Sequence, residues 1–314
     1  MTLVRLPDPL KSADAVLHDA FALLGCERLG GASVSGWSRQ SDLLRCPYRY
    51  FLKHERHLAP TTLAASSKGQ DTGSFIHAFL AAHYARLLPP PFDPGDGQLI
   101  AYPGWHENSP TPDQLRDACL ECGAEVEALM MASRLWENYL DYWGDDNWIP
   151  VAVEMPAGDP ALHTSRYDLV FFVEDGLHDG LWIGEHKSSK SSPDLEQWDL
   201  DGEVLGEMLS WQLSDLDSRF GAKLNGVCIN VLIKTKVPSY FRIWKPVDDQ
   251  LVREFHRTRL HWSRIEEVYR KSGVWPKSLY GCKSKYDVVT GQRCGYWDHC
   301  LSLSDQFLTP MPEK

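Results

Sequence analysis

No run of eighteen apolar residues occurs anywhere in this chain, which excludes a membrane-spanning helix. A secretory signal is lacking too: MTLVRLPDPLKSADAVLHDAFALLG carries Pro and acidic residues where a continuous apolar centre would be needed. A cytoplasmic, reducing setting is therefore expected. Positive charge is scarce, with 32 Lys and Arg against 43 Asp and Glu and a formal net charge of -11. Broad phosphate contact is disfavoured by that balance, so any such contact must come from local basic sets. Internal repeats, a glycine loop that cradles phosphate and helicase motifs are all absent. Any motor would be a different chain.

What remains is a chain of 314 residues, 43% hydrophobic, long enough for one substantial core with additions. We divide it into an arm to residue 60, a helical region over 61–147 with a Pro/Gly-rich stretch from Pro89 to Pro112, a core over 148–274 and a tail over 275–314. Apolar patterning predicts a helix around residue 77 and another over 113–143, then strands near 148–155, 166–174 and 181–187. A helix over 196–220, strands near 224–234 and 239–245, and a last helix over 248–272 follow. That last helix presents Leu251, Phe255, Trp262, Ile265 and Tyr269 at helical spacing as packing residues.

The most informative stretch lies in the core. Arg166 to Val173 and Gly184-Glu185-His186-Lys187 read as strands, joined by a polar turn over Glu174 to Gly180. A hairpin centred near residue 176 sets Asp168 across from Glu185. Alternation then turns Glu185 and Lys187 to the face of Asp168 and His186 away from it. The surrounding residues are apolar on both faces, so the carboxylates need compensation. A hard divalent cation such as Mg2+ or Mn2+ supplies it, bridging a phosphate and lowering the pKa of a water. The alternative is a buried Asp/Glu/Lys ion pair in an ordinary sheet.

Asp168 followed after sixteen residues by Glu185-x-Lys187 resembles the PD-(D/E)XK nuclease superfamily. Gly73-Ser74-Phe75-Ile76-His77 resembles the Gly-x-x-x-His element of its RecB-like branch. Glu154, in Val151-Ala152-Val153-Glu154-Met155, is similar to that branch's strand before the Asp hairpin. Gln212 would stand for its Gln-x-x-x-Tyr element, although position 216 is Leu rather than Tyr. The resemblance implies an α/β fold: a PD-(D/E)XK core of mixed central sheet flanked by helices, with a helical insertion and a cysteine-stapled accessory layer. It implies Asp168, Glu185 and the His186 backbone carbonyl as Mg2+ or Mn2+ ligands, completed by His77. Lys187 would assist the attacking water, with Glu154 and Gln212 accessory.

Eight cysteines in a reducing setting point to metal rather than disulfides, and three cluster late: Cys282, Cys294 and Cys300. Cys46, before Pro47 and aromatic residues, is the candidate fourth. This layout is similar to iron-sulfur nucleases, the CRISPR adaptation-associated exonucleases and AddB-type helicase-nucleases, which implies a 4Fe-4S cluster on Cys46, Cys282, Cys294 and Cys300. Cys282 lies farther upstream than the usual partner, so His299 is an alternative ligand. Four-cysteine Zn2+ is the alternative metal. Cys119 and Cys122 share one helical face with no second Cys-x-x-Cys pair, and Cys26 and Cys228 read as core residues.

The activity implied is hydrolysis of DNA phosphodiesters, as an exonuclease on single-stranded or frayed linear ends, alongside a helicase, recombinase or integrase on another chain. The opposing expectation is a non-catalytic DNA-end-binding or assembly protein. Basic sets that could meet phosphate are Arg45, Arg49, Lys53 and Arg56, then Lys187 and Lys190, then Lys234, Lys236 and Arg242. Tyr48, Tyr50, Trp198 and Trp211 are candidates to stack bases.

Overall fold

The computed structural model describes residues 11–26, 35–60, 68–91, 101–104, 107–144, 147–191, 198–278 and 294–311. Its first half is helical: α1 (Ala13–Leu23), α2 (Trp37–Arg45), α3 (Pro47–Tyr50, continued by a wider turn to Glu55), a short β1 (Leu58–Pro60), α4 (Lys68–Leu87), α5 (Pro112–Glu121) and α6 (Val126–Trp143). The strands β2 (Trp148–Asp159), β3 (His163–Val173) and β4 (Gly180–Ser189) follow, then α7 (Gly202–Leu213), α8 (Leu216–Phe220), β5 (Leu224–Ile233) and β6 (Ser239–Pro246). The long α9 (Asp249–Ser272), α10 (Trp297–Ser302) and β7 (Leu308–Pro310) complete the described chain.

The central sheet has the order β2-β3-β4-β5-β6. It is mixed, because β4 and β5 run parallel while every other pair is antiparallel. Parallel neighbours need a crossover, and α7 with α8 supplies it. Helices cover both faces. On one, α1, α4, α5 and α6 pack onto Leu169, Phe171, Trp182, Cys228 and Leu232. On the other, Val170, Ile183, Val227, Ile229 and Val231 meet Leu205, Met208 and Leu209 of α7 and Val252 and Phe255 of α9. Two-sided burial explains why β4 and β5 read as continuous apolar runs. Ile76, Phe79 and Leu80 of α4 are wholly buried, and each contributes roughly 1.5–3 kcal/mol of transfer free energy.

The five strands fall where the periodicity predicts them. The helices differ in three places. The helix expected over 113–143 is two, because Gly123 adopts φ +86° after Cys122 ends α5. The Glu125 side chain then caps α6 by accepting from the backbone N–H groups of Glu127 and Ala128. Cys122 is therefore a cap, and only Cys119 is fully buried. The helix expected over 196–220 starts at Gly202, capped by Asp201, and breaks at Asp215, which takes a left-handed conformation. Within α9, Phe255 is buried as expected, but its companions are Val252 and Arg259, and Leu251, Trp262, Ile265 and Tyr269 are half-buried. Arg259 is drawn inward because its guanidinium donates to the carbonyls of Leu162 and Ser35.

Residues 48–60 and 276–310, far apart in sequence, meet on one side. β1 pairs antiparallel with β7, Tyr48 N donates to the Pro276 carbonyl at 3.1 Å, and the Tyr296 hydroxyl donates to the Leu58 carbonyl at 2.7 Å.

Candidate active site

Three strands set three carboxylates in a row across the sheet. Leu169 pairs with Gly184, and the same register one step on sets Asp168 opposite Glu185, as the hairpin predicts. On the other side, the pairs Val153–Leu169 and Met155–Tyr167 bracket Glu154 opposite Asp168. Glu154 has φ +50°, a left-handed conformation that a non-glycine residue adopts only under constraint. Its neighbours Val153 and Met155 consequently belong to different cores, as do Leu169 and Tyr167 beside Asp168. The row thus lies where strand alternation is interrupted, between the two helical layers.

Helix α4 delivers His77 to this row. Its Nδ1 lies 3.3 Å from Asp168 Oδ2, which also accepts from the His186 backbone N–H at 2.8 Å. Gly73, one turn earlier, allows the close crossing: a Cβ there would stand 3.3 Å from the Ser188 hydroxyl. Lys187 Nζ lies 2.5 Å from Glu185 Oε1 and 2.7 Å from Glu203 Oε2.

The electrostatics follow from crowding carboxylates out of water. Burial opposes charge on Asp168, but the His77 charge and hydrogen bond, with help from His186, hold it well below the usual carboxylate range. Burial would likewise lower His77, and Asp168 with Glu185 outweighs it, holding the ring up to about 9. Glu185 is pushed up to about 7 by burial and then by Asp168, against Lys187. Glu154 is pushed up to about 8 by the same two causes. Lys187 is held protonated by Glu185 and Glu203 despite burial. On the other face of β4, His186 is pushed down to about 4, chiefly by burial. Its ring stacks on Tyr84 at 5.8 Å, and its Nδ1 lies 3.0 Å from Asn230 Nδ2.

Asp168, Glu185, Lys187, His77 and Glu154 are therefore brought together, and His186 points away as expected. Gln212 is not brought in. It is exposed near the end of α7 and opens onto a separate cavity of about 670 Å3 with Leu177 and Trp182. Leu216, at the position where Tyr was sought, begins α8 and is buried in the second core. The first turns of α7 supply two groups that the sequence reading missed, Glu203 against Lys187 and the buried Glu207 against Glu185. Their spacing, one helical turn in the crossover helix after Glu185-x-Lys187, is the signal that could have found them.

Among the described residues, no three His, Cys, Asp or Glu side chains stand as a ready-made cation site. His77 and Lys187 engage the carboxylates instead. The donors still suit a hard cation: carboxylate oxygens are what Mg2+ and Mn2+ prefer, and Glu154 and Glu185 are raised first by burial and then by the Asp168 charge beside them.

Of the cysteine set, Cys282 lies outside the described residues. Cys46, Cys294 and Cys300 are half-buried. Cys46 Sγ accepts from Ser278 N at 3.5 Å, and the Cys300 carbonyl accepts from Lys277 Nζ at 3.0 Å. His299, the alternative ligand, has its Nε2 3.2 Å from the Tyr48 hydroxyl and its Nδ1 3.1 Å from the Ser304 carbonyl. Several groups expected to meet nucleic acid are committed elsewhere. Arg49 and Lys53 pair with the buried Asp42 at 2.9 and 2.7 Å, and Arg242 lies between Trp143 and Trp148 at 3.8 and 3.7 Å from their ring centroids. Trp198, Trp211 and Tyr50 are buried, so they pack the interior rather than stack bases.

The PD-(D/E)XK nuclease superfamily matches residues 36–214, more than half of the chain and a span that contains the whole row. The chain belongs to this superfamily. Members of the PD-(D/E)XK superfamily are generally metal-dependent nucleases that use Mg2+ or Mn2+, and the mixed five-stranded sheet flanked by helices is their fold. No curated protein matches the sequence. The crystal structure of SSO0001 aligns over 79% of this chain and 85% of its own at 12% identity, with a TM-score of 0.30, a likeness too slight to argue from. Among the described residues, no helix is long and apolar enough to cross a membrane.

Proposed function

We propose that the chain is a metal-dependent deoxyribonuclease whose centre is the row Glu154, Asp168 and Glu185, with Lys187 and His77. The observation that carries this reading is the convergence of those groups from four separate elements within the span of the superfamily match. Asp168, Glu185 and the His186 backbone carbonyl would hold Mg2+ or Mn2+, with His77 turning from Asp168 to complete the set. A bound divalent cation supplies an acidified water and neutralises charge on the phosphate oxygens. Lys187, protonated and held between Glu185 and Glu203, orients the incoming water and offsets negative charge developing on phosphorus. Lys234 reaches the edge of the site, its Nζ donating to the Ser188 hydroxyl at 3.1 Å, and with the exposed Lys190 nearby it offers phosphate contacts there.

The finer reading is an exonuclease of the RecB-like branch acting in the cytoplasm on single-stranded or frayed linear ends, in company with a helicase, recombinase or integrase. The order of Gly73-x-x-x-His77, Glu154, Asp168 and Glu185-x-Lys187 supports the branch. A thiolate-bound 4Fe-4S cluster, or Zn2+, on Cys46, Cys282, Cys294 and Cys300 belongs to the same reading. Its support is the approach of the Cys46 segment to residues 276–278 and to α10. Iron, acid-labile sulfide and zinc analysis of anaerobically purified wild type and Cys294→Ala tests it: iron and sulfide lost together in the variant supports the cluster, and zinc in their place assigns the alternative.

The nuclease reading is tested with end-labelled single- and double-stranded linear DNA beside a closed circle, in Mg2+ and in Mn2+. Metal-dependent loss of linear DNA that Lys187→Ala abolishes is the expected result, and the label position reads the polarity. Equal inertness of wild type and variant would overturn it in favour of a DNA-end-binding protein.

A further inference from the structure

Two carboxylates in the first turns of α7 face the two charged residues at the end of β4. Glu203 and Glu207 lie one helical turn apart, and Glu185 and Lys187 lie two residues apart on the facing strand. A helix turn rises about 5.4 Å and two strand residues span about 6.6 Å, so the pairs can meet one to one. Glu203 Oε2 lies 2.7 Å from Lys187 Nζ, and the buried Glu207 carboxyl, one turn on, faces Glu185, whose charge adds to burial in raising it. Glu207 is only 3% exposed, and its Oε2 has no hydrogen-bond partner.

Glu207 is an expensive group to keep where it is. A buried polar atom without a partner destabilises the fold, and an apolar side chain at the same helical position would join Met208 and Leu209 in the core. The helix is also fixed in place. The Asp201 side chain caps it by accepting from Glu203 N at 2.7 Å, the Glu207 carbonyl accepts from the Tyr167 hydroxyl at 3.1 Å, and the Trp37 ring lies so close to Gly202 that a Cβ there would collide at 2.4 Å. Helix α7 therefore holds its two carboxylates against β4 as a rigid unit.

We propose that Glu207 and Glu203 are positioning residues for this site, Glu207 orienting the Glu185 carboxylate toward the cation and Glu203 holding the Lys187 ammonium beside it. The proposal rests on the nuclease reading. A hydrogen bond to a ligating carboxylate fixes its direction, and losing such a partner costs about 10- to 100-fold in metal affinity. Once Glu185 turns to a cation, Glu203 is the remaining anchor that keeps Lys187 on the same patch rather than extended into solvent.

The test uses the full chain and two readouts, Mn2+ affinity by titration calorimetry and steady-state cleavage of linear DNA, with circular dichroism confirming the fold. Glu207→Ala should weaken Mn2+ binding about 10- to 100-fold, and Glu207→Gln, which keeps a hydrogen-bond partner of the same length, should restore most of it. Glu203→Ala should bind Mn2+ within about twofold of wild type but lower kcat about tenfold at unchanged KM, with no rescue by Glu203→Gln because the ion pair needs the charge. Folded Glu207→Ala that binds Mn2+ like wild type, or folded Glu203→Ala with unchanged kcat, would overturn the corresponding half. A wild type that neither binds Mn2+ nor cuts DNA would instead overturn the nuclease reading itself, and the positioning roles with it.

Discussion

The end of β4 has two faces, and they solve the same burial problem in opposite ways. On one, Glu185 and Lys187 meet Asp168, Glu203 and Glu207, so charge is balanced by charge, and incompletely. On the other, His186 meets Asn230, which in turn donates to the Tyr139 hydroxyl at 3.1 Å, itself 2.7 Å from that of Tyr84. There Arg242 also donates to the Tyr139 hydroxyl at 3.3 Å, and burial first, with nearby positive charge behind it, leaves the imidazole without its proton. A buried strand needs no charge for stability. The carboxylates gathered on one side only are the groups that the proposed metal site would use.

The comparison breaks most visibly through Asp168. Asp168→Asn keeps the volume and removes the charge that His77 and Glu185 respond to. Cleavage should fall at least about 100-fold while urea denaturation stays close to wild type. A loss of stability matching the loss of activity would show that the row is structural after all.

The two faces should also titrate in opposite senses in chelator-treated protein. Glu185 and Glu154, held up to about 7 and about 8, bind protons in the folded chain that the unfolded chain releases near 4.5. Stability therefore falls as pH rises through that window, by up to about 1.4 kcal/mol per pH unit for each group. His77, held up to about 9 from 6.5, acts in the same direction. His186, held down to about 4, does the reverse: below about 6.5 the unfolded chain takes a proton that the folded chain refuses, and stability falls as pH drops. Urea midpoints from pH 5 to 9 should lose the part of their decline below about pH 7 in Glu185→Gln, while Glu154 and His77 keep the part above it, and should lose part of their acid decline in His186→Phe; Mn2+ should restore the alkaline limb of wild type.

A smaller effect sharpens the His186 side. Asn230→Ala removes the partner of His186 and Tyr139 and should cost about 1–3 kcal/mol in chemical denaturation, with Mn2+ affinity retained. Loss of metal binding beyond that cost would mean that the two faces are coupled through the β4 backbone. The smallest change concerns Glu154. Glu154→Gly relieves a left-handed residue and a crowded carboxyl, so the thermal midpoint should rise, by up to about 1 kcal/mol in stability, as Mn2+ affinity drops.

Much of this site is legible in the sequence, because its main parts are local. Asp168 and Glu185-x-Lys187 lie on one hairpin, where turn position fixes register and alternation of side chains fixes the face. His77 is legible through Gly73, whose lack of a Cβ matters where α4 crosses Ser188. Gln212 was misleading, because the element that counts is set by where the crossover helix begins. That start is Gly202, later than the periodicity over 196–220 suggests. The break at Gly123 was written in the sequence, yet the apolar stripe on both sides hides it.

By itself, then, the sequence determined the strands, the hairpin register and the Asp168, Glu185 and Lys187 patch, since these depend on residues close along the chain and on period-two alternation. Only the tertiary structure decided that Glu154 turns left-handed to lie across from Asp168, that Glu203 and Glu207 close on Lys187 and Glu185, and that β1 pairs with the distant β7. Those contacts join separate elements, and their geometry is set by how helices settle on a twisted sheet, which no local pattern of residues records.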